Sequence, residues 1–315
     1  MAPLAFVSIV VPTLRRPHLL RDCLTSLGEQ TYAGSLYEII VVADGPQRDV
    51  RELVAELPQC ADGPAVRYVE IDHRGPNAAR NVGISAATGT LVCLVDDDVV
   101  APPTWLERLL AGIGARDGLT CFGGPIRARF EGPAPRTCER CEIRTTRLDE
   151  GGLEREVEAV YSANMAMTRT AIEQVGPFDE SLPIYGDEEE WEHRLRLAGG
   201  AVIYLPEAWL WHRKTAEDLR LARLLRTHLR FGYGEAAYWV ATSRPRLAAE
   251  ARRRASGVPG LIAHAVKRRC WNGIMAGFAG IGFAAGALIH SVSRRVSESR
   301  LTAESAATPG GHHAR

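Results

Sequence analysis

The chain has 315 residues, 46% hydrophobic and 24% charged, with 38 basic side chains against 38 acidic ones. These proportions fit a globular protein of one or two domains and exclude wholesale disorder and a polytopic membrane protein. With a net charge of zero there is no excess of Lys and Arg to track a phosphate backbone, so nucleic acid is excluded as the main partner.

Met1 to Val11 enters an apolar stretch with no basic n-region and no cleavage-type small residues, so no secretory signal is expected and the protein is placed in the cytoplasm. The seven cysteines are an odd number, and Cys23, Cys93 and Cys121 sit in apolar surroundings, as reduced thiols would. Cys138 and Cys141 form a single CxxC. No second pair or histidine stands at ligand spacing nearby, so a plain loop is expected there in preference to a metal or redox site.

The first half alternates short β-branched runs with helical patterns. Val7 to Val11 reads as a strand; Leu19, Cys23 and Leu27, with Leu20 and Leu24, then make one apolar helical face, with Pro17 suited to the first turn. Ile39 to Val42, Val66 to Ile71 and Leu91 to Val95 are further strands, the last preceded by a helix from about Asn77 to Ala87. Near-continuous apolar strands alternating with helices predict an α/β fold with a mostly parallel sheet covered on both faces. Ligands bind such sheets beyond the carboxyl ends of the strands. Here those ends carry Pro12-Thr13, Asp44-Gly45 and Asp96-Asp97-Asp98.

A helix follows at Pro102 to Ile113, and then an irregular stretch from about Ala128 to Glu158, read as a mobile lid or acceptor loop. Structure resumes at Tyr161 to Thr168, with a helical stretch at Ala171 to Val175 and a turn at Gly176-Pro177-Phe178-Asp179. Past His212 the chain becomes Arg- and Ala-rich helix, with basic clusters at Arg252 to Arg254 and Lys267 to Arg269. Trp271 to Val292 contains no Asp, Glu, Lys or Arg, and Arg294-Arg295 closes it. This segment is near the lower length for a membrane span. It reads as membrane contact, whether span, re-entrant hairpin or in-plane helix, or else as a buried helical hairpin. The expected organisation is a catalytic domain at 1–215, a helical C-terminal region at 216–300 and a disordered tail at 301–315.

Three adjacent aspartates ending a buried strand are costly without a positive partner. A divalent cation suits them, Mg2+ or Mn2+ with hard oxygen ligands and a substrate diphosphate; the alternative is an acidic helix N-terminus before Pro102. Arg80, near a helix start, could hold that diphosphate or pair a core-edge carboxylate such as Asp44. Asp44 itself could accept from a base or a ribose hydroxyl, or simply form a turn. In Gly186 to Leu195, Trp191, Leu195 and Ala198 share one face, and Glu190–Arg194 and Glu192–Arg196 fit i, i+4 pairs. That leaves Asp187 and Glu188 in the first turn, as dipole-compensating acids or as a catalytic pair. His212, after the apolar Trp209 to Trp211, could complete a metal shell or be a structural histidine.

In order and spacing these blocks resemble the family 2 glycosyltransferases over roughly Val7 to Lys214. The matching blocks are Pro12-Thr13, Asp44-Gly45, Arg80-Asn81, the aspartate triplet, the Asn164 block, Gly176 to Glu180 and the acidic block. The resemblance implies a GT-A fold and inverting sugar transfer, of hexosyl or deoxyhexosyl type, from a UDP, dTDP or GDP sugar with Mn2+ or Mg2+. It implies Asp96 and Asp98 as the DxD motif, with Asp98 the direct metal ligand and His212 as the family's late histidine. Nucleotide-sugar contacts are implied at Pro12, Thr13, Asp44, Arg80, Asp96, Asp97 and Asn164. In the family an acidic pair commonly stands six residues before an Arg. Counting back from Arg194 gives Asp187-Glu188, with Glu188 at the base position.

Two positions depart from the pattern. Ala43 stands where an acidic or amide residue is common, which puts base recognition by this turn in doubt; Asp187-Glu188 reverses the usual order, so Asp187 stays an alternative base. No Gln-x-x-Arg-Trp block of processive synthases is present, so a single-sugar transfer is expected, to a hydroxyl acceptor that is lipid-linked, membrane-proximal or soluble. A nucleotidyltransferase would usually carry a Gly-rich loop after the first strand, and Pro12 to Arg16 has no glycine. A non-catalytic sugar-nucleotide binder is the remaining alternative.

Overall fold

The computed structural model describes residues 5–57, 62–133, 138 and 148–307, with side chains as far as Ser293. Cys141 and residues 308–315 of the expected tail lie outside the described residues.

The chain opens with β1 (Val7–Thr13), α1 (Pro17–Gly28), β2 (Tyr37–Asp44), α2 (Arg48–Glu56), β3 (Ala65–Ile71), α3 (Pro76–Ala86) and β4 (Leu91–Leu94). The β-branched runs become strands because helices cover both of their faces. Val7, Ile9, Val10, Ile39, Ile40, Val41 and Val42 are wholly buried. Pro17 occupies the first turn of α1, where its missing N–H costs nothing. β5 (Val99–Val100), α4 (Trp105–Ile113), β6 (Thr120–Gly123), β7 (Ile126–Phe130) and β8 (Arg155–Glu156) follow, then β9 (Met165–Thr168), α5 (Arg169–Val175), α6 (Asp187–Leu197), β10 (Ala201–Tyr204) and β11 (Leu210–Lys214).

Eight strands form one sheet in the order β3-β2-β1-β4-β9-β6-β10-β8, parallel from β3 through β4 and again between β6 and β10, with β9 antiparallel to β4 and β6. A second sheet, β5-β11-β7, stands beside its carboxyl edge. The 128–158 segment expected to be an irregular lid is partly in these sheets. Ala128 to Phe130 belong to β7, Leu148 bridges Ile126, and Arg155–Glu156 add an edge strand to β10.

Three long helices complete the fold: α7 (Leu221–Ala241), α8 (Leu247–Arg268) and α9 (Trp271–Ala307). The apolar segment 271–292 is the first part of α9, and its glycines are what bring it close to α7. A Cβ built on Gly282 would lie 2.0 Å from the carbonyl oxygen of Leu229, and one on Gly232 would lie 1.8 Å from that of Ala279. Such backbone approach needs the absence of a side chain. Trp271–Ser293 is long enough to cross a bilayer and contains an 18-residue window of mean hydropathy 1.6, yet 44% of that window is buried inside the protein. Ile281, Leu288, Ile289 and Val292 face outward. The helix runs on to Ala307, into the region expected to be a disordered tail.

Candidate active site

Strand pairing builds the acidic end of the site. His212 in β11 is in register with Val99 in β5, directly after the aspartate triplet, and the Arg213 N–H donates to the Asp98 carbonyl at 2.9 Å. His212 Nε2 consequently lies 3.2 Å from Asp98 Oδ1 and 3.8 Å from Asp96 Oδ2. The ligand atoms of Asp96, Asp98 and His212 all fall within 4.8 Å of one another.

Two features fit these residues to a cation. Asp98 Oδ1 is buried and has no hydrogen-bond partner in the protein. His212 Nδ1 lies 3.3 Å from the Arg213 carbonyl oxygen, which can accept only from a protonated Nδ1. In the neutral ring that tautomer leaves the Nε2 lone pair facing the two carboxylates, free to join them on a cation, whereas a protonated ring pairs with Asp98 directly.

Asp97 points the other way. It is fully buried, accepts from Thr13 Oγ1 at 2.7 Å and pairs with Arg16, and burial raises its pKa to about 7 against the opposing charge of Arg16. Burial also acts on Asp98, but His212, Arg16 and Lys214 outweigh it and hold that carboxyl below its usual range. Arg16, whose Nη1 donates to Asp98 Oδ2 at 3.0 Å, and Lys214 were not anticipated from sequence. Each lies in an irregular or basic stretch with no pattern to mark it; the pairing of β1 with β4 brings Arg16 to the triplet, and that of β11 with β5 brings Lys214.

The second acidic pair sits at the start of α6. Gly186 takes φ 111°, and its position is closed by the Gly234 carbonyl oxygen, 2.7 Å from where a Cβ would be. Trp191 anchors the helix, with Nε1 donating to the Gly176 carbonyl at 2.8 Å and its ring stacked on Phe178. The Glu190–Arg194 pair forms at 2.8 Å. The expected Glu192–Arg196 pair is replaced: Glu192 turns inward and accepts from the Val160 N–H at 2.7 Å, while Arg196 donates to the Glu158 carbonyl. Ala198 is exposed, because the helix ends at Leu197 and leaves it at the C-cap. Trp191, Leu195 and Glu192 make the buried face instead.

Asp187 is fully buried and ion-paired with Arg80, which also donates from Nη1 to Asn77 Oδ1 at 2.7 Å and from Nη2 to Ser162 Oγ at 2.8 Å. Ser162 Oγ in turn donates to Glu188 Oε1 at 2.6 Å. Burial and then the charge of Glu188 push Asp187 well up. Burial also pushes Glu188 up, but Arg80 and hydrogen bonds from Asp187 and Ser162 overcome it, so Glu188 stays below the ordinary glutamate range. Asp187 is the closer partner of Arg80, while Glu188, 3.8 Å from Arg80 Nη2, is the member held low.

Arg80 therefore pairs with Asp187, and not with Asp44 as the sequence allowed. Asp44 instead holds the loop before α3, accepting from the Arg74 N–H at 2.8 Å and the Gly75 N–H at 3.1 Å, with His73 Nδ1 2.8 Å away. Asn164 is spent within the core: Oδ1 accepts from Trp105 Nε1 at 3.0 Å, and Nδ2 donates to the carbonyls of Ala208 and Pro125. Pro12 lies in β1, in register with Val42.

A cavity of about 630 Å³ is lined by residues of both acidic groups, Asp96 and Glu188. Glu189, pushed up to about 7 by burial, also lines it. Its far wall comes from the C-terminal helices through His228, Phe231 and Trp239. That size suits a small organic ligand or a sugar unit.

A mostly parallel sheet with paired carboxylates at its carboxyl edge and an acidic helix start across a cavity defines a sugar-transferring enzyme of the GT-A class. The sequence profile of Glycosyl transferase family 2 matches residues 8–176, and the chain belongs to that family. Among curated relatives it is 26% identical over 237 residues, 75% of each chain, to the glycosyltransferase AglE of Haloferax volcanii. It is 29% identical over 230 residues, 72% of each chain, to the succinoglycan biosynthesis protein ExoM of Rhizobium meliloti. Among solved structures it shares its fold with the mannosyltransferase PcManGT of Pyrobaculum calidifontis, determined with GDP-Man and Mn2+. There the TM-score is 0.61 at 18% identity, covering 91% of this chain and 88% of that one. The protein is a glycosyltransferase.

Proposed function

We propose that the enzyme moves one sugar, with inversion, from a nucleoside-diphosphate sugar to an acceptor hydroxyl in the cavity, with Glu188 as general base. The observation that carries this reading is that Asp96, from the cation-fitting cluster, and Glu188, the member of the second pair held below the ordinary glutamate range, line the same cavity. Inversion needs a donor phosphate on one side of the anomeric carbon and a base-activated hydroxyl on the other.

Asp98, Asp96 and His212 would hold Mn2+ or Mg2+, which when bound neutralises charge on the departing diphosphate. Arg16, 39% exposed at its side chain and paired with Asp97 and Asp98, is the cation placed to meet that diphosphate. Arg80 acts differently: it is buried, and through Asp187 and Ser162 it fixes Glu188. Thr13 holds Asp97 and so sets the backbone between the two candidate metal ligands. Glu188 Oε1, already accepting from Ser162, takes the acceptor proton as the new bond forms, and no covalent enzyme intermediate is needed.

The neighbour's GDP-Man keeps GDP beside UDP and dTDP as donor nucleotides. The acceptor is a hydroxyl of a lipid-linked or membrane-proximal glycan at the cytoplasmic face. The test is thermal melting with UDP-, GDP- and dTDP-sugars, with and without Mn2+, on wild type and Asp98→Ala. A stabilisation with one nucleotide that requires Mn2+ and disappears in Asp98→Ala is expected. No stabilisation with any donor would return the chain to a non-catalytic role.

A further inference from the structure

A second group of ligating side chains lies outside the cavity lining. Cys138 stands in the chain between β7 and β8, His264 on α8, and Cys270 in the link between α8 and α9. Cys138 Sγ is 3.6 Å from His264 Nε2, and the Cys138 N–H donates to Cys270 Sγ at 3.2 Å. The three ligand atoms lie within 4.8 Å of one another. Cys138 lies 126 and 132 residues from His264 and Cys270, which is why the CxxC looked like a plain loop.

Local geometry holds two of the three in place. Arg269 ends α8 in the left-handed region, at φ 48°, and the Cys270 N–H returns to the Ala265 carbonyl at 3.0 Å. That turn swings Cys270 back beside His264. α9 then leaves close against α8, because a Cβ on Gly273 would sit 2.7 Å from the Leu261 carbonyl oxygen. Cys270 is only 1% exposed.

We propose that Cys138, His264 and Cys270 bind a zinc ion that fastens the chain between β7 and β8 to the turn between α8 and α9. In a tetrahedral zinc site, metal bonds of about 2.3 Å to sulfur and about 2.0–2.1 Å to nitrogen put those two atoms roughly 3.5 Å apart. The observed 3.6 Å between Cys138 Sγ and His264 Nε2 matches that spacing. Two thiolates and an imidazole select zinc over Mg2+ or Mn2+, whereas the Asp96, Asp98 and His212 set selects hard cations. The N–H donated to Cys270 Sγ is the outer hydrogen bond that orients and stabilises a metal-bound thiolate. Cys141 follows Cys138 in the sequence at the two-residue interval of zinc-binding thiol pairs and lies outside the described residues. Binding releases the thiol protons to solvent and changes no oxidation state.

The full chain, purified under reducing conditions without chelator, is expected to carry about one zinc per molecule by elemental analysis. Cys138→Ser, His264→Ala and Cys270→Ser should each lose it, while Asp98→Ala should keep it. Cobalt added to metal-stripped wild type should give a thiolate-to-cobalt charge-transfer absorption that is absent in Cys270→Ser. The cobalt titration reads the site in wild type even if a variant fails to fold. A wild-type chain that holds no zinc and shows no such absorption overturns the proposal. So does a Cys138–Cys270 disulfide found by mass under reducing purification, or an undiminished zinc content in all three variants.

Discussion

A carboxylate serves as a base only if it is ionised and within reach of the hydroxyl, and burial works against the first condition. Glu188 is held low by Arg80 and Ser162 and lines the cavity, while Asp187 beside it is spent on Arg80. Counting back from Arg194 was enough to single out the pair, but the buried partner of Asp187 lies 107 residues away and no local pattern marks it. Glu192 gives the same lesson. Its spacing to Arg196 suggested a surface pair, yet the side chain is fully buried, and burial, opposed by one backbone hydrogen bond, raises its pKa well above 4.5. A folded-state pKa above the unfolded one means that the folded protein binds more protons, so this residue's contribution to stability falls as pH rises past about 4.5. Glu192→Gln removes that titration while keeping the acceptor for Val160. Denaturant unfolding at pH 5 and pH 8 should show the variant gaining stability relative to wild type at the higher pH; an equal difference at both would contradict the assignment.

At the scale of elements, the strands β1, β2 and β4 were legible because each is buried on both faces and reads as a largely apolar run, while β3 is a partly buried edge strand. β5 and β8, two residues each, are defined by what they pair with and leave no periodic signal. The second sheet matters more than its size, since β5 paired to β11 is what brings His212 to Asp98. α9 was legible as an apolar helix but not as a packing partner, because glycine content lowers hydropathy without revealing which helix the bare backbone meets. Gly282→Val would drive a side chain into the Leu229 carbonyl, a backbone atom that cannot swing aside. The cost should be roughly 1–3 kcal/mol, read as a lower urea midpoint. An unchanged midpoint would mean that α7 and α9 do not pack as described.

Taken whole, the molecule places its cavity between the sheet edge and the C-terminal helices, so those helices are part of the site and not an appendage. The outward residues Ile281, Leu288, Ile289 and Val292, exposed by 43–68%, share one side of α9, and Arg294-Arg295 follow them in the sequence. An apolar stripe beside basic charge suits an anionic lipid surface, where each basic residue near the surface adds about 1 kcal/mol. Replacing the four by Ser should sharply lower co-sedimentation with phosphatidylserine liposomes while leaving thermal stability unchanged. Equal binding of variant and wild type would remove the membrane from the account.

The central claim is that Glu188 is the base facing a donor held at the aspartate edge. Its most direct test is the rate of nucleoside diphosphate release from the stabilising donor sugar with Mn2+, in wild type and Glu188→Gln, alongside donor affinity by calorimetry. The account predicts that Glu188→Gln binds donor as wild type does and loses about 10²–10⁴-fold in rate, the usual contribution of a general base. Release at the wild-type rate from Glu188→Gln would contradict it.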